Sequence, residues 1–104
     1  MTPNLQKQFE KELFKLYELA KIKCNYNATR FLKMLHELGG VATATQLVLS
    51  PEFSQGLTAM WECGRLDLTV EATVLREPWR QLFNEDVLSA AQAKLQSLGY
   101  SWNG

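Results

Sequence analysis

The stretch from Trp61 to Leu75, WECGRLDLTVEATVL, most constrains the fold, because it contains both a helix end and a helix start. Gly64 follows a short apolar run, and a glycine just after a helix can adopt the left-handed backbone that ends it. Asp67 is predicted as the N-cap of the next helix, since its carboxylate can accept from free backbone amides. The apolar stripe of that helix consists of Leu68, Ala72, Val74 and Leu75. Two helices are therefore expected to meet here, with Trp61 in the core.

Four charged residues lie in this stretch: Glu62, Arg65, Asp67 and Glu71. We expect them to form a structural polar cluster, whose ion pairs fix the angle between the two helices. The same four residues could instead form a binding site. Exposed ion pairs contribute little to stability, whereas buried ones are costly to break.

The stretch also resembles the core motif WE-x-GRLDLTVEA-x-VL of a family of small, uncharacterised, all-helical bacterial proteins or domains. The resemblance extends upstream to residues 26–32 and to Gly39-Gly40, and downstream to Leu98-Gly99-Tyr100, so it covers most of residues 10–100. It implies a helical fold. It implies no activity, because no chemistry is assigned to that family.

A second strong pattern lies at the N-terminus. Thr2-Pro3 is typical of a helix start, with a hydroxyl N-cap followed by proline at the first helical position. Apolar residues then recur at spacings of four and three, which predicts an amphipathic helix of about 20 residues. The stripe consists of Leu5, Phe9, Leu13, Leu16, Ala20 and Cys24.

The middle of the chain predicts two short helices. Asn27 is the expected N-cap of a helix over residues 28–38, which Gly39-Gly40 ends. A helix over residues 41–49 follows, with Thr43 and Thr45 facing solvent. Ser50-Pro51-Glu52 either begins the helix that contains Trp61 or forms a separate turn.

The last third of the chain predicts one long helix. Pro78 ends the preceding helix, Trp79 is expected to be a half-buried cover, and Asn84 is the expected N-cap of the last helix. Gly99 ends that helix, and Tyr100 is expected to fold back onto it. The chain is therefore predicted to be one all-α domain over residues 1–104, a compact irregular bundle of about five helices with a loose tail at 101–104.

Composition excludes several classes of protein. The 11 basic and 11 acidic residues cancel, so the chain lacks the strong positive charge of a dedicated nucleic-acid binder. The sequence predicts no membrane span, because no apolar run approaches the length that a bilayer requires. The polar N-terminus lacks the apolar core of a signal peptide, so a cytoplasmic location is expected. Cys24 and Cys63 are far apart and are expected to be reduced, partly buried thiols.

No motif for catalysis, metal binding or cofactor binding stands out. His36 is the single histidine, and its spacing from the two cysteines matches no zinc site. No phosphate-binding loop, nucleophile elbow or HExxH motif is present. We therefore expect no catalytic residue, no metal and no cofactor.

By elimination, the leading interpretation is a small non-enzymatic interaction protein that acts through protein–protein contact. Its partner is of unknown identity, and a second copy of the chain is one choice. Phe14 and Ile22, on either side of Glu18, lie opposite the apolar stripe of the first helix, and Trp102 has no evident core position. We therefore predict Phe14, Glu18, Ile22 and Trp102 as partner-binding residues.

The alternative is a small nucleic-acid-associated regulator that uses the basic face of the first helix: Lys7, Lys11, Lys15 and Lys21. Residues 42–47 and 54–58 are rich in small and hydroxyl residues, as in a helix-turn-helix. The segment between them is too long for the usual turn, and residues 54–63 contain no Lys or Arg. An enzyme with a carboxylate site formed by Glu62, Asp67 and Glu71 ranks last.

Overall fold

Six α-helices follow one another along the residues that the computed structural model describes, 4–100. Of these residues 76% are helical, and none belongs to a strand. The helices are α1 (Leu5–Cys24), α2 (Thr29–Leu38), α3 (Gly40–Leu49), α4 (Gln55–Cys63), α5 (Val70–Val74) and α6 (Glu85–Ser97). Two short 3-10 helices flank α5, at Leu66–Leu68 and Trp79–Leu82. The predicted all-α bundle of about five substantial helices is confirmed, with α5 as a short sixth helix.

The core forms around α1, which packs against α2, α3 and α4. Four residues of its predicted apolar stripe are buried: Phe9, Leu13, Leu16 and Ala20. The rings of Trp79 and Phe83 pack on Phe9, with centroids 5.7 and 5.3 Å away. The half-buried Trp79 therefore covers one end of the core, as its sequence position predicted.

Helix α5 is buried on every side, because it lies between α3, α6 and the two 3-10 helices. Its N-cap is Thr69, whose hydroxyl accepts from the Ala72 amide at 3.1 Å. The prediction that Asp67 caps this helix is wrong, because the chain first makes the 3-10 turn that contains Asp67. The true helix start lies two residues later.

Two other predicted helix starts also differ. Asn4 caps α1 by accepting from the Gln6 amide at 2.8 Å, while the predicted Thr2-Pro3 start lies outside the described residues. Asn27 does not cap α2, since its side-chain oxygen accepts from the Tyr17 hydroxyl at 2.9 Å. Helix α2 begins after Ala28 with no side-chain cap. A tertiary hydrogen bond to α1 thus replaces the local one.

Gly39 and Gly40 form the sharp junction between α2 and α3. Gly39 has a φ of +82°, which ends α2, and Gly40 already belongs to α3. A Cβ at Gly40 would lie 2.9 Å from the Cα of Glu10, so the backbones of α1 and α3 approach closely here. Thr43, one turn later, is fully buried. The prediction that Thr43 faces solvent is wrong, because this close approach turns it inward.

Helix α4 begins at its own cap, Ser54, whose hydroxyl accepts from the Leu57 amide at 3.0 Å. Residues 50–53 therefore form a separate turn. Gly64 ends α4 with a φ of +78°, as predicted. Trp61 is 49% exposed, so its expected place in the core is wrong. Leu57 and Met60 occupy the inward face of the helix instead.

The last helix matches its prediction closely. Asn84 caps α6 by accepting from the Val87 amide at 3.1 Å. Gly99 ends it with a φ of +84°, and the Tyr100 amide donates back to the Leu95 carbonyl at 2.9 Å. The tail predicted to be loose, 101–104, lies outside the described residues. Within residues 4–100, no helix has the length and apolarity needed to cross a membrane.

Candidate functional site

A cleft of about 410 Å³ opens beside α1 and is the candidate functional site. It lies among five segments: the C-terminal half of α1, residues 26–34 with α2, the end of α3 with the turn at 50–53, α4, and residues 68–71 at the start of α5. Apolar side chains form its inner wall: Leu16, Ala20, Phe31, Leu47, Leu57 and Met60. Its size and its apolar wall are typical of small-molecule sites.

Polar and aromatic side chains also line the cleft. Tyr17, Tyr26 and Phe53 contribute aromatic rings, while Arg30 and Glu52 contribute exposed charges. Tyr17 already holds a cation over its ring, since the Lys21 ammonium lies 5.4 Å from its centroid. The cleft thus combines apolar contact with side chains that could select a ligand by charge.

Glu71 is the buried charged residue of the cleft. Glu71 is only 2% exposed, and burial raises the pKa of its carboxyl above the ordinary value. Glu71 is buried because packed elements surround α5, and all five residues of this helix are buried. Its Oε2 atom has no hydrogen-bond partner within the part of the chain that the structure describes.

Lys94, on α6, is the charged neighbour of Glu71. Its ammonium nitrogen lies 4.0 Å from Glu71 Oε2, beyond hydrogen-bond distance. The ammonium donates instead to the backbone carbonyls of Leu47 at 3.0 Å and Glu52 at 3.3 Å. Burial lowers the pKa of Lys94, and the Glu71 carboxylate partly opposes that effect. Lys94 therefore fixes the turn after α3 while leaving the carboxyl of Glu71 incompletely paired.

The four residues of the predicted polar cluster do not come together as one group. Arg65 and Asp67 form a two-pronged ion pair, with both N–O distances at 3.0 Å. The hydrogen bond from Arg65 lowers the pKa of Asp67. Glu71 does not join this ion pair and has Lys94 as its charged neighbour at 4.0 Å, and Glu62 is exposed on α4. A carboxylate site that combines Glu62, Asp67 and Glu71 is therefore not formed.

The predicted partner-binding residues on α1 differ in exposure. Glu18 is exposed and Ile22 is 70% exposed. Phe14 is half-buried against the core, with its ring centroid 5.4 Å from that of His36. Its predicted place on a free outer face is wrong, because α2 packs beside α1 there. Trp102 lies outside the described residues.

The basic face predicted on the first helix is present. Lys7, Lys11, Lys15 and Lys21 are all exposed on α1. Residues 55–63 form α4, and the turn at 50–53 separates it from α3. Nothing in this geometry marks a contact with bases.

The prediction of two free thiols is wrong. Cys24 and Cys63 are joined in a disulfide, with their Cα atoms 5.9 Å apart. Each cysteine is the last residue of a helix, and α1 and α4 pack together, so their ends meet. Residues 4–100 contain no group of three His, Cys, Asp or Glu side chains that could hold a metal ion.

Comparison with protein-family models, curated proteins and solved structures found no match. The resemblance to the small helical bacterial family therefore stays a prediction.

Sequence reasoning missed the cleft and Lys94. Lys94 is three residues after Ala91 and seven after Val87, so it shares their inward face of α6. A lysine at a stripe position was the available signal for a buried, paired charge. The cleft left no comparable signal, because its residues come from five separate segments.

Proposed function

We propose that this chain is a non-enzymatic binding protein that holds a small, largely apolar ligand in the cleft. The observation that carries the proposal is the cleft itself, about 410 Å³ with an apolar wall and a buried carboxyl of raised pKa at Glu71. An apolar pocket with a few polar groups and a shifted ionisable residue is the best starting hypothesis for a ligand site.

Binding fits this site better than catalysis does. A reaction that uses both a general acid and a general base needs two titratable groups, each within hydrogen-bond reach of the proton that it transfers. Lys94, the charged group nearest to Glu71, directs its ammonium to two backbone carbonyls. Moving the ammonium away would deprive both carbonyls of this donor, so we assign Lys94 a structural role.

A cleft-filling substitution tests the proposal. Gly56 lines the cleft, and an added Cβ would meet no atom closer than 3.9 Å. The variant Gly56→Trp, confirmed as folded by circular dichroism, should weaken binding of the neutral probe N-phenyl-1-naphthylamine by about tenfold or more, measured by fluorescence titration. The matched control is Ala93→Trp, at an exposed position on α6 that is not part of the cleft wall. Equal binding by both variants and the wild type would show that the cleft is not the site.

The second function that we propose is binding of a protein partner. It would use a different surface, beside the Cys24–Cys63 disulfide. Ile22 is 70% exposed and Trp61 is 49% exposed, and each lies two residues before a cysteine of the disulfide. Exposed apolar and tryptophan side chains favour a protein contact, and the disulfide joins the two helix ends that carry them. A homodimer formed through this end of the molecule is the simplest such contact.

The double variant Ile22→Ser with Trp61→Ser should leave circular dichroism unchanged and should shift the mass measured by light scattering from dimer to monomer. A wild type that is monomeric at every concentration would exclude it.

Nucleic-acid binding by the basic face of α1 stays a prediction. It requires that Lys7, Lys11, Lys15 and Lys21 contact phosphates, so its affinity should fall steeply with salt. A cytoplasmic location likewise stays a prediction. The Cys24–Cys63 disulfide counts against it, because disulfides are rare in reducing compartments.

A further inference from the structure

We propose that the ligand of the cleft carries an amine, and that its ammonium group binds the carboxylate of Glu71. This inference rests on the proposed function, since it names the chemical class of the ligand that the cleft holds. It identifies Glu71 as the residue that selects the ligand by charge.

The first support is that the Glu71 carboxyl can accept a hydrogen bond that it does not receive from the described residues. Glu71 is one of the residues that line the cleft, and it is 2% exposed. Its Oε2 atom has no hydrogen-bond partner among the residues that the structure describes. Leaving a buried polar atom without a hydrogen bond costs free energy, so native structures retain such atoms where they have a use. A donor on the ligand would satisfy this carboxyl.

The second support is that Lys94 does not donate a hydrogen bond to the Glu71 carboxyl. A charge-assisted N–H···O bond is about 2.7–2.9 Å long, whereas Lys94 Nζ lies 4.0 Å from Oε2. Two donors of the ammonium are held by the carbonyls of Leu47 and Glu52. A small movement of the Glu71 carboxyl toward the cleft would leave Lys94 where it is.

The third support is the charge around the cleft. Its lining includes two carboxyl groups, of Glu52 and Glu71, against one guanidinium, of Arg30. The ammonium of Lys94, 4.0 Å from Glu71 Oε2, is not part of the lining and is held by two backbone carbonyls. Arg30 is exposed at the rim, where its charge is screened by water. A cationic ligand therefore meets favourable charge at both carboxyl groups. A carboxylate ligand would meet like charge at the buried end.

Aromatic rings complete the chemistry. Tyr26, Phe31 and Phe53 line the same cleft, and the faces of such rings attract ammonium groups. The apolar part of the ligand would lie against the wall formed by Leu57 and Met60. The expected ligand is thus an apolar or aromatic amine.

Three ligands that share one indole group test the inference: tryptamine, which is cationic, tryptophol, which is neutral, and indole-3-propanoate, which is anionic. Binding to the isotope-labelled protein would be followed by chemical-shift changes in NMR titrations. We expect tryptamine to bind roughly tenfold to a hundredfold more tightly than tryptophol, and indole-3-propanoate to bind most weakly. Glu71→Gln should abolish the preference for tryptamine and leave tryptophol binding in place. The matched control, Glu52→Gln at the exposed rim, should keep most of the preference.

The outcomes separate the two proposals. If tryptamine and tryptophol bind the wild type equally, or if Glu71→Gln keeps the preference, the amine assignment is wrong while the cleft remains a ligand site. If none of the three ligands nor the neutral naphthylamine probe binds, the proposed function itself fails. Should Glu71→Gln not fold, carbon NMR of the glutamate carboxyl groups in the wild type decides instead. Tryptamine, but not tryptophol, must then shift the signal of a buried glutamate, and no shift overturns the inference.

Discussion

At the scale of single residues, Thr69 connects two elements that would otherwise meet without a hydrogen bond. Its hydroxyl donates to the Leu66 carbonyl at 2.7 Å and accepts from the Ala72 amide at 3.1 Å. Its own carbonyl accepts from the Thr73 hydroxyl at 2.9 Å. Thr69 thereby joins the 3-10 turn at 66–68 to α5, the helix that contributes Glu71 to the cleft.

Replacing Thr69 by valine keeps the shape and removes the hydroxyl. We expect Thr69→Val to lower the free energy of unfolding by about 0.5–2 kcal/mol, through loss of the helix cap. Asp67→Ala should cost less, because the ion pair of Asp67 with Arg65 is largely exposed. Urea denaturation of both variants makes the comparison. A larger loss in Asp67→Ala would mean that Asp67 caps α5 in solution.

Glu71 makes stability depend on pH. Burial raises its folded pKa above the ordinary value of 4.5, so the folded protein keeps this proton at pH values where the unfolded chain has lost it. Its contribution to stability is therefore fully present below about pH 4.5 and is lost as pH rises through the folded pKa.

The variant Glu71→Gln cannot titrate at this position, while its charged neighbour, Lys94, is present in both proteins. The free energy of unfolding of the wild type, minus that of Glu71→Gln, should therefore fall as pH is raised from about 4.5 toward neutrality. Urea denaturation at a series of pH values measures this difference. A difference that is constant with pH, or that rises, would show that the folded pKa is not raised.

At the scale of elements, the contact between α1 and α3 depends on the absence of a side chain at Gly40. A Cβ there would lie 2.9 Å from Glu10 Cα and 3.2 Å from Glu10 N. Both are backbone atoms in the middle of a packed helix, so they can move only if α1 shifts. This contact also sets the position of Thr43 in the core.

Gly40→Ala should therefore lower the free energy of unfolding by about 1–3 kcal/mol, the usual cost of overpacking. Gly56→Ala is the matched control, because its Cβ would make only an ordinary contact, 3.9 Å from Ser54 Oγ, and the residue is helical. It should be neutral or should stabilise by up to about 1 kcal/mol. Thermal unfolding followed by circular dichroism measures both. Equal effects would mean that α1 and α3 do not approach this closely.

At the scale of the whole molecule, the Cys24–Cys63 disulfide closes a loop with a sequence separation of 39. The loop includes α2, α3 and α4, so the bond restricts a large part of the unfolded chain. A loop of that length corresponds to a stabilisation of about 4 kcal/mol in the chain-entropy model. The bond also joins the C-terminal ends of α1 and α4. Ala20 and Met60, which lie near those ends, line the cleft.

Reduction with dithiothreitol should accordingly lower the melting temperature of the wild type. The double variant Cys24→Ser with Cys63→Ser should melt at the temperature of the reduced wild type and should not respond to the reductant. Alkylation followed by intact-mass measurement gives the thiol state directly. Two reactive thiols in the purified, non-reduced protein would contradict the disulfide.

The sequence by itself determined where most helices lie and how several of them end. Gly64 and Gly99 end α4 and α6 with left-handed backbones, and Asn84 caps α6. These features follow from residues within a few positions of one another, because helix periodicity and capping are local. The same local reasoning failed at Asn27, where a hydrogen bond from Tyr17 of α1 competes with the cap.

Only the tertiary structure decided the candidate site. Glu71 and Lys94 belong to different helices, and the disulfide joins residues separated by 39 positions. Which charges are buried depends on what packs around each helix, and no local pattern encodes that packing. The predicted polar cluster is therefore divided, because Asp67 is partly exposed between two buried leucines and Glu71 lies on a helix enclosed on every side.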